Sequence, residues 1–309
     1  MTETIHRAAE KQIFGKTIVV FFLLCASAAS SLAQTVSDRQ ALAGQSAAAK
    51  AKGYVYWTNE RNGSVGRATT AGTHVDEKFI ALKTIDSGGG LTVNQSYIYW
   101  TSANGGTATT IARAKLDGSD VDQDFITGAT NPCGVAVDKS YIYWAGDVGS
   151  SIGRADLDGS DANQDFIATG TGVCGVAVTK KYIYWADYET GEIGRANLDG
   201  SGANDDFISG CGSGIAVEGK YIYFTTASGT GIGRANIDGS GVNLGFITGL
   251  NGQVAFLAVD KNYIFWPDWG DAGTGTTIGR ANIDGTGVNQ SFIKGTKGGF
   301  GIAVTGGDP

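Results

Sequence analysis

The sequence contains six copies of a short aromatic motif, and this repetition limits how the chain can fold more than any other feature. The copies read YVYW, YIYW, YIYW, YIYW, YIYF and YIFW, and they begin at Tyr54, Tyr97, Tyr141, Tyr182, Tyr221 and Tyr263. The spacing between successive copies is 39 to 44 residues. Each repeat also contains three further short apolar runs, typified by GVAV, IGRA and DFI. A period of this length indicates one structural unit that is stacked or arranged in a ring.

Each apolar run is rich in β-branched and aromatic residues and is bounded by Gly, Asn or Asp, which is typical of a strand. Four strands in every ~40 residues are the pattern of a β-propeller blade. The sequence therefore predicts an all-β, six-bladed β-propeller with four-stranded blades over residues 53–305. No GVAV-like run precedes Tyr54, whereas the sixth such run, 301–304, ends the repeat region. We expect this C-terminal strand to pair into the first blade and to close the ring, which removes an open sheet edge.

These motifs resemble those of the YWTD propellers of the low-density lipoprotein receptor class B type. The likeness rests on the aromatic, Trp-rich strand and on the following strand with its Asp-Gly turn, and it recurs six times between residues 53 and 304. The fourth motif position departs from the family pattern, since Asp stands there only as Asp187 and Asp268. The resemblance implies a six-bladed propeller that binds partners without catalysing a reaction.

The N-terminal segment reads as a secretory signal peptide at 1–33, followed by a flexible leader at 34–52. Basic residues precede the apolar run 17–29, and small residues stand before Gln34, where we place the cleavage; a site after Ala28 is an alternative. The apolar run falls well short of the ~20 residues that a membrane span needs. We therefore expect an exported protein, periplasmic or extracellular, with no transmembrane segment.

The net charge bears on the kind of partner, and the cysteine content bears on the disulfides that the chain can form. The net charge of −7 argues against a nucleic-acid partner, because such proteins need a basic patch. Cleavage would leave Cys133, Cys174 and Cys211, and hence at most one disulfide within the chain. We expect the inner strands that follow Cys133 and Cys174 to lie too far apart for a bridge, so Cys174 and Cys211 are the predicted pair.

Metal and cofactor sites have little support in the sequence. Cleavage leaves His74 as the only imidazole, and we place it in a hairpin away from the variable loops, so we predict neither a catalytic residue nor a metal site. We expect no cofactor, although the turn 156–161 resembles a short calcium loop and leaves calcium open. The Arg that recurs in each third strand is expected to form salt bridges within or between blades. We expect a monomer.

Loop lengths point to one face of the disc. The connections from the first to the second strand and from the third to the fourth strand keep nearly constant lengths in all copies, whereas the other two connections vary. In an up-and-down blade the variable connections share one face, and loops on a rigid scaffold carry function. Residues on this face form the predicted ligand-binding site: Tyr188, Trp269, Asp187, Glu189, Asp268, Asp271, Phe256 and Phe300. The alternative is that these aromatic rings plug the channel mouth or pack between blades.

Together these observations favour a secreted, non-catalytic interaction module that holds a protein, peptide or glycan on the variable-loop face. An aromatic side chain beside carboxylates suits protein anchoring or sugar stacking. One alternative is a propeller enzyme, lyase-like or a lactonase-like hydrolase, that uses carboxylates such as Asp187 and Asp268 at the channel mouth. The other is a structural envelope protein.

Overall fold

The computed structural model describes residues 53–83, 88–102, 109–147, 150–170, 172–270 and 273–306. The predicted signal peptide and leader, residues 1–52, lie outside the described residues. Within the described part of the chain, 24 strands form six four-stranded antiparallel sheets arranged as the blades of a propeller. The predicted all-β fold, the blade number and the strand number per blade are confirmed.

The strands run from the inner to the outer edge of each blade in chain order. Blade 1 contains β1 (Tyr54–Asn59), the 3₁₀-helix Glu60–Asn62, β2 (Ser64–Thr69) and β3 (Asp76–Ala81). Blade 2 contains β4 (Gly88–Val93), β5 (Tyr97–Ser102), β6 (Thr110–Lys115) and β7 (Asp122–Thr127). Blade 3 contains β8 (Pro132–Val137), β9 (Tyr141–Gly146), β10 (Ser151–Asp156) and β11 (Asn163–Ala168).

Blade 4 contains β12 (Val173–Val178), β13 (Tyr182–Asp187), β14 (Glu192–Asn197) and β15 (Asn204–Ser209). Blade 5 contains β16 (Cys211–Glu218), β17 (Tyr221–Thr226), β18 (Ile232–Asn236) and β19 (Asn243–Ile247). Blade 6 contains β20 (Ala258–Val259), β21 (Tyr263–Pro267), β22 (Thr277–Asn282) and β23 (Asn289–Lys294). The last strand, β24 (Gly299–Val304), is the innermost strand of blade 1.

The ring closes through this last strand. In the antiparallel pair of β24 and β1, Val304 lies opposite Val55 and Ala303 lies opposite Tyr56. The backbone N–H of Tyr54 donates to Thr305 Oγ1 over 2.7 Å, which extends the pairing by one residue. The predicted closure is confirmed, and it joins the two ends of the repeat region in one sheet.

The aromatic motif strands form the core between blades. In blade 4, Trp185 is 1% exposed and packs with Ala136 of blade 3 and with Val176 of its own blade. Gly194, opposite Trp185 on the next strand, leaves room for the indole, because a Cβ at Gly194 would collide with the ring. A fully buried large side chain contributes on the order of 2–3 kcal/mol. The alternation of large aromatic and small residues therefore drives blade-to-blade packing.

The repeated arginines stack on aromatic rings, where salt bridges were expected. The guanidinium of Arg154 lies 4.3 Å from the ring centroid of Tyr141 and 3.8 Å from that of Phe166. The other five arginines of this position make the same two contacts in their own blades. In blade 2, Arg113 Nη1 also donates to the carbonyl oxygen of Leu157 in blade 3. Each arginine therefore stabilises its own blade through cation–π contacts with two aromatic rings.

The predicted cysteine pairing is wrong. Cys133 and Cys174 form a disulfide, with their Cα atoms 4.9 Å apart, and Cys211 is a buried free thiol. The inner strands approach more closely than expected because Gly134 and Gly175 follow the two cysteines. A Cβ at either glycine would collide with a carbonyl oxygen of the next inner strand. The missing side chains let neighbouring inner strands lie nearly backbone to backbone.

In the Asp-Gly turns, the aspartate carboxylate accepts hydrogen bonds from within the same turn. Asp158 Oδ1 accepts a hydrogen bond from the backbone N–H of Ser160 over 2.9 Å and from its hydroxyl over 2.6 Å. These bonds hold the pKa of Asp158 below its usual value. The same arrangement recurs at Asp117, Asp199, Asp238 and Asp284. The carboxylate oxygen that resembled a calcium ligand thus stabilises a hairpin turn.

Candidate functional site on the variable face

The strand bounds separate two faces of the disc. We call the face with the second-to-third-strand loops and the blade-to-blade links the variable face. On the opposite face, the loop from the third to the fourth strand has six residues in every blade. On the variable face, the second-to-third-strand loops have four to nine residues and the links have one to ten. The two longest segments, 248–257 and 268–276, both belong to blade 6.

Tyr188 projects from the variable face between blades 3 and 4. Its side chain is 45% exposed, and its hydroxyl donates to Asp147 Oδ1 of blade 3 over 2.8 Å. Asn131 Nδ2 donates to the other carboxylate oxygen of Asp147 over 3.1 Å. Partial burial of the phenol and the neighbouring Asp147 carboxylate raise the pKa of Tyr188 to about 12. The ring is therefore held in place, and its hydroxyl stays protonated at neutral pH.

Asp187 shapes the loop that carries Tyr188. Its side chain is buried, and Oδ1 accepts hydrogen bonds from the backbone N–H groups of Glu189 and Thr190, each over 3.0 Å. Glu189 is exposed at the tip of this loop. The structure therefore places Asp187, Tyr188 and Glu189 together, with Asp187 as a positioning residue and the other two accessible to solvent.

Trp269, Phe256 and Phe300 form a separate aromatic cluster where blade 6 meets blade 1. The ring centroids of Trp269 and Phe300 are 5.7 Å apart, and those of Phe300 and Phe256 are 5.2 Å apart. Trp269 Nε1 donates to Glu60 Oε2 of blade 1 over 2.8 Å. Phe256 is 7% exposed, whereas Trp269 and Phe300 are half-buried. The rings thus pack between blades, and the edges of two of them reach solvent.

Asp268 lies beside this cluster. Its Oδ1 accepts a hydrogen bond from the backbone N–H of Gly270 over 2.9 Å, and the side chain lines a cavity of about 90 Å³ in blade 6. Asp271, the remaining residue of the predicted site, lies outside the described residues. The predicted residues therefore divide into one group at blades 3 and 4 and another at blades 6 and 1.

The sequence did not indicate Asp147 or Glu60 as site residues, although each accepts a hydrogen bond from an aromatic residue of the predicted site. A signal for Asp147 exists in the repeat itself. Asp147 follows Tyr141 by six residues, as Tyr188 follows Tyr182, so the two positions are equivalent in adjacent blades. Equivalent loop positions of neighbouring blades lie side by side, which predicts their contact. Glu60 of blade 1 contacts Trp269 of blade 6, where the first and last blades of the ring meet. These two residues also occupy equivalent positions of the repeat, so the same signal exists for this contact.

In the part of the chain that the structure describes, no group of three His, Cys, Asp or Glu side chains is placed to hold a metal ion. His74 is exposed in the hairpin after β2, on the face opposite to Tyr188. No helix among the described residues has the length and apolar character needed to cross a membrane.

No protein-family model matches this chain, and no curated protein matches it. Among solved structures, a chain of a nidogen/laminin complex superposes with a TM-score of 0.66 at 17% identity, covering 82% of this chain and 98% of that one. Selenomethionine-substituted virginiamycin B lyase from Staphylococcus aureus gives a TM-score of 0.51 at 18% identity, covering 74% and 76%. An inactive variant of that lyase with quinupristin gives 0.50 at 21% identity, covering 69% and 73%. At these identities the likeness shows the propeller fold alone.

Proposed function

We propose that the protein is an exported, non-catalytic binding module that holds a protein, peptide or glycan on its variable face. The observation that carries this proposal is the concentration of loop-length variation on that face, while the third-to-fourth-strand hairpins keep six residues in every blade. A scaffold that holds its blades constant and varies the loops on one side is suited to recognition. The fold likeness to a structure of a nidogen/laminin complex is consistent with such a role.

The exposed ring of Tyr188 and its fixed hydroxyl support a role in binding a partner. An exposed tyrosine ring supplies a large amphipathic contact area, and tyrosine is frequent among the residues that dominate interface energies. Because the hydroxyl of Tyr188 is already bound to Asp147, the ring loses little rotational freedom when a partner binds. Glu189 beside it adds a charge that would favour a partner with a complementary donor or cation.

Export is supported by two features. The segment 1–33 has the pattern of a signal peptide, and cleavage before Gln34 would release a chain that contains the propeller. The disulfide of Cys133 and Cys174 is typical of proteins that fold in oxidising compartments outside the cytosol. The likeness to a lyase brings no activity to this chain, because it concerns the fold alone.

Partner capture tests the proposal. The purified protein is used as bait for envelope and secreted fractions of the producing organism, beside a Tyr188→Ala bait. A Val242→Ala bait is the matched control, because Val242 is equally exposed at 45% but lies on the opposite face. We expect the wild type and the control to retain the same partner and Tyr188→Ala to lose it. Near-ultraviolet circular dichroism verifies that each bait is folded.

Trp269→Ala is a second variant for the cluster at blades 6 and 1. Because Trp269 packs on Phe300, its circular dichroism and unfolding midpoint must be compared with those of the wild type before a loss of capture is interpreted. Capture of identical partners by the wild type and both variants would contradict the assignment of the variable face. Capture of no partner by the wild type would contradict the binding function itself.

A further inference from the structure

The surface around Tyr188 is acidic as well as aromatic. The Tyr188 side chain is 45% exposed, and its hydroxyl donates to Asp147 Oδ1 over 2.8 Å. Glu189, the next residue, is exposed, and its methylene groups lie against Gly172, where a Cβ would collide with them. One exposed ring therefore has one carboxylate bonded to its hydroxyl and a second on the adjacent residue.

Two further carboxylates lie at the base of the loop that carries Tyr188. Asp187 is 6% exposed and lies opposite Glu192 in the antiparallel pair of β13 and β14. Glu192 Oε2 is buried and has no hydrogen-bond partner among the described residues. In blades 1, 3 and 6 the corresponding residue has a hydroxyl that donates to a carbonyl oxygen of the outer strand. These residues are Ser64, Ser151 and Thr277. Blade 4 therefore has a carboxylate in place of a neutral donor, which adds negative charge at this loop.

The variable-face segments of blades 3 and 4 contain no basic residue. These segments are 128–131, 147–150, 169–172 and 188–191, and none of them includes Lys or Arg. The lysines of the two blades lie in first-to-second-strand turns on the opposite face, at Lys139, Lys180 and Lys181. The arginines, Arg154 and Arg195, are held between aromatic rings. The carboxylates around Tyr188 thus have no basic side chain in their own loops, and such a surface attracts a cationic partner.

The pairing of an aromatic residue with a carboxylate recurs where blade 6 meets blade 1, in different surroundings. Glu60 and Trp269 occupy the same position of the repeat as the pair at blades 3 and 4, and Trp269 Nε1 donates to Glu60 Oε2 over 2.8 Å. Arg61 and Lys297 are exposed beside this second pair, and the backbone N–H of Arg61 donates to the carbonyl oxygen of Lys297 over 3.1 Å. Because basic residues belong to these loops, we expect a cationic partner to prefer the surface at blades 3 and 4.

From this arrangement we propose that the surface formed by Asp147, Tyr188 and Glu189 binds a basic segment of a protein partner, with a lysine or arginine side chain over the Tyr188 ring. The face of an aromatic ring attracts a cation, and the two carboxylates accept its hydrogen bonds. A neutral sugar could stack on the ring but would leave the negative charge uncompensated, and an acidic partner would be repelled. The inference rests on the proposed binding function and specifies a basic protein segment among the partners.

Nuclear magnetic resonance of the tyrosine rings tests this assignment. The purified protein with ¹³C-labelled tyrosine is titrated with an acetylated and amidated tetralysine peptide, and with the corresponding tetraglutamine and tetraglutamate peptides. The salt concentration is about 0.1 M, at which exposed charges more than about 10 Å apart are largely screened. Tyr188→Phe identifies the Tyr188 resonance by its loss. We expect tetralysine to shift this resonance in a saturable manner and the other two peptides to leave it in place.

Two variants separate the charge from the ring, with the affinity for tetralysine measured by isothermal titration calorimetry. Glu189→Gln is expected to weaken binding about two- to fivefold, the contribution of one exposed ion pair. Tyr188→Leu keeps an apolar side chain but removes the ring, and we expect a loss of about two- to fivefold. Asp161→Asn is the matched control, because it removes one exposed negative charge from the opposite face of blade 3. The positive φ of Asp161 suits asparagine, so this variant should fold and bind as the wild type does.

The outcomes separate this inference from the proposed function. If tetralysine leaves the Tyr188 resonance in place, or if either of the other peptides shifts it as strongly, the basic ligand class is wrong. If Asp161→Asn weakens binding as much as Glu189→Gln does, the peptide responds to the net charge of the protein, and the assigned surface is wrong. If Glu189→Gln and Tyr188→Leu both bind as tightly as the wild type, the site lies elsewhere. Each of these results leaves the Tyr188-dependent capture of a partner untouched, and only that capture decides the proposed function.

Discussion

Cys133 and Cys174 occupy equivalent positions on the inner strands of blades 3 and 4, and their Cα atoms lie 4.9 Å apart. The residue after each cysteine is a glycine, and a Cβ on Gly134 would collide with the carbonyl oxygen of Cys174. The same close approach recurs at Gly175 against Ser213. The centre of the ring is thus packed backbone against backbone, and the disulfide links two strands that glycine has already brought together.

This packing predicts that Gly134→Ala destabilises the protein. The added methyl group meets a backbone oxygen, which yields less readily than the end of a flexible side chain. We expect the free energy of unfolding to fall by about 1–3 kcal/mol, the typical cost of overpacking a rigid site. Urea denaturation followed by tryptophan fluorescence measures the change.

Gly245→Ala is the matched control for that substitution. Gly245 lies on the outer strand of blade 5, and the nearest heavy atom to an added Cβ is 3.7 Å away, an ordinary contact. We expect its stability to stay within about 1 kcal/mol of the wild type or to rise slightly, because alanine restricts the unfolded chain. If Gly134→Ala lowered the free energy of unfolding no more than Gly245→Ala does, the inner strands would be able to move apart around the added methyl group without cost.

The disulfide is expected to make a substantial contribution to stability. It joins cysteines 41 residues apart, and the chain-entropy model assigns about 4 kcal/mol to a loop of that length. We therefore expect the unfolding midpoint in urea to fall clearly when Cys133 and Cys174 are both replaced by alanine. The same experiment on the reduced wild type should give a similar shift.

Thiol labelling provides the independent check on the pairing. Burial raises the pKa of the Cys211 thiol to about 12, so this thiol is protonated and inaccessible in the native protein. A maleimide should leave Cys211 unlabelled under native conditions and label it after unfolding without reductant. Label found on Cys133, with Cys211 protected by a bond to Cys174, would contradict the pairing seen in the structure.

The repeat predicted the fold and its closure because six similar copies carry the same strands and because one inner strand is missing at the start. It did not predict the cysteine pairing, because the close spacing of the inner strands depends on the absence of a side chain at Gly134 and at Gly175. Nor did it predict that Arg154 stacks between Tyr141 and Phe166, because a charged residue in a strand also suits a salt bridge.

The candidate site was predictable only in part. Loop lengths located the variable face, and unique aromatic residues led to Tyr188 and Trp269. The cavity of blade 6 was not predicted, because its lining combines the regular motif residue Trp266 with residues of the long link 248–257. The outer-strand side chain of Gln290 bonds to that link at Asn251 and Gly249. Such tertiary contacts leave no pattern in the repeat.

The buried tyrosines of the motif predict a loss of stability at alkaline pH. Burial is the main cause that raises the pKa of Tyr56 and of Tyr184 to about 12, whereas a tyrosine in the unfolded chain ionises near 10. The neutral phenol of Tyr184 donates to the carbonyl oxygen of Ile237 in the next blade over 3.0 Å, a bond that a phenolate cannot make. Ionisation therefore favours the unfolded chain.

The sign and the pH window follow from these values. Because the folded-state pKa is raised, the stabilisation by each phenol is complete below about pH 10 and is lost as the pH rises towards 12. We expect the free energy of unfolding, measured in urea at successive pH values, to decline across this window. Tyr184→Phe should lower stability by about 1 kcal/mol at neutral pH, through loss of one hydrogen bond, and should make the alkaline decline shallower. A decline as steep as that of the wild type would show that Tyr184 does not titrate differently in the folded and unfolded states.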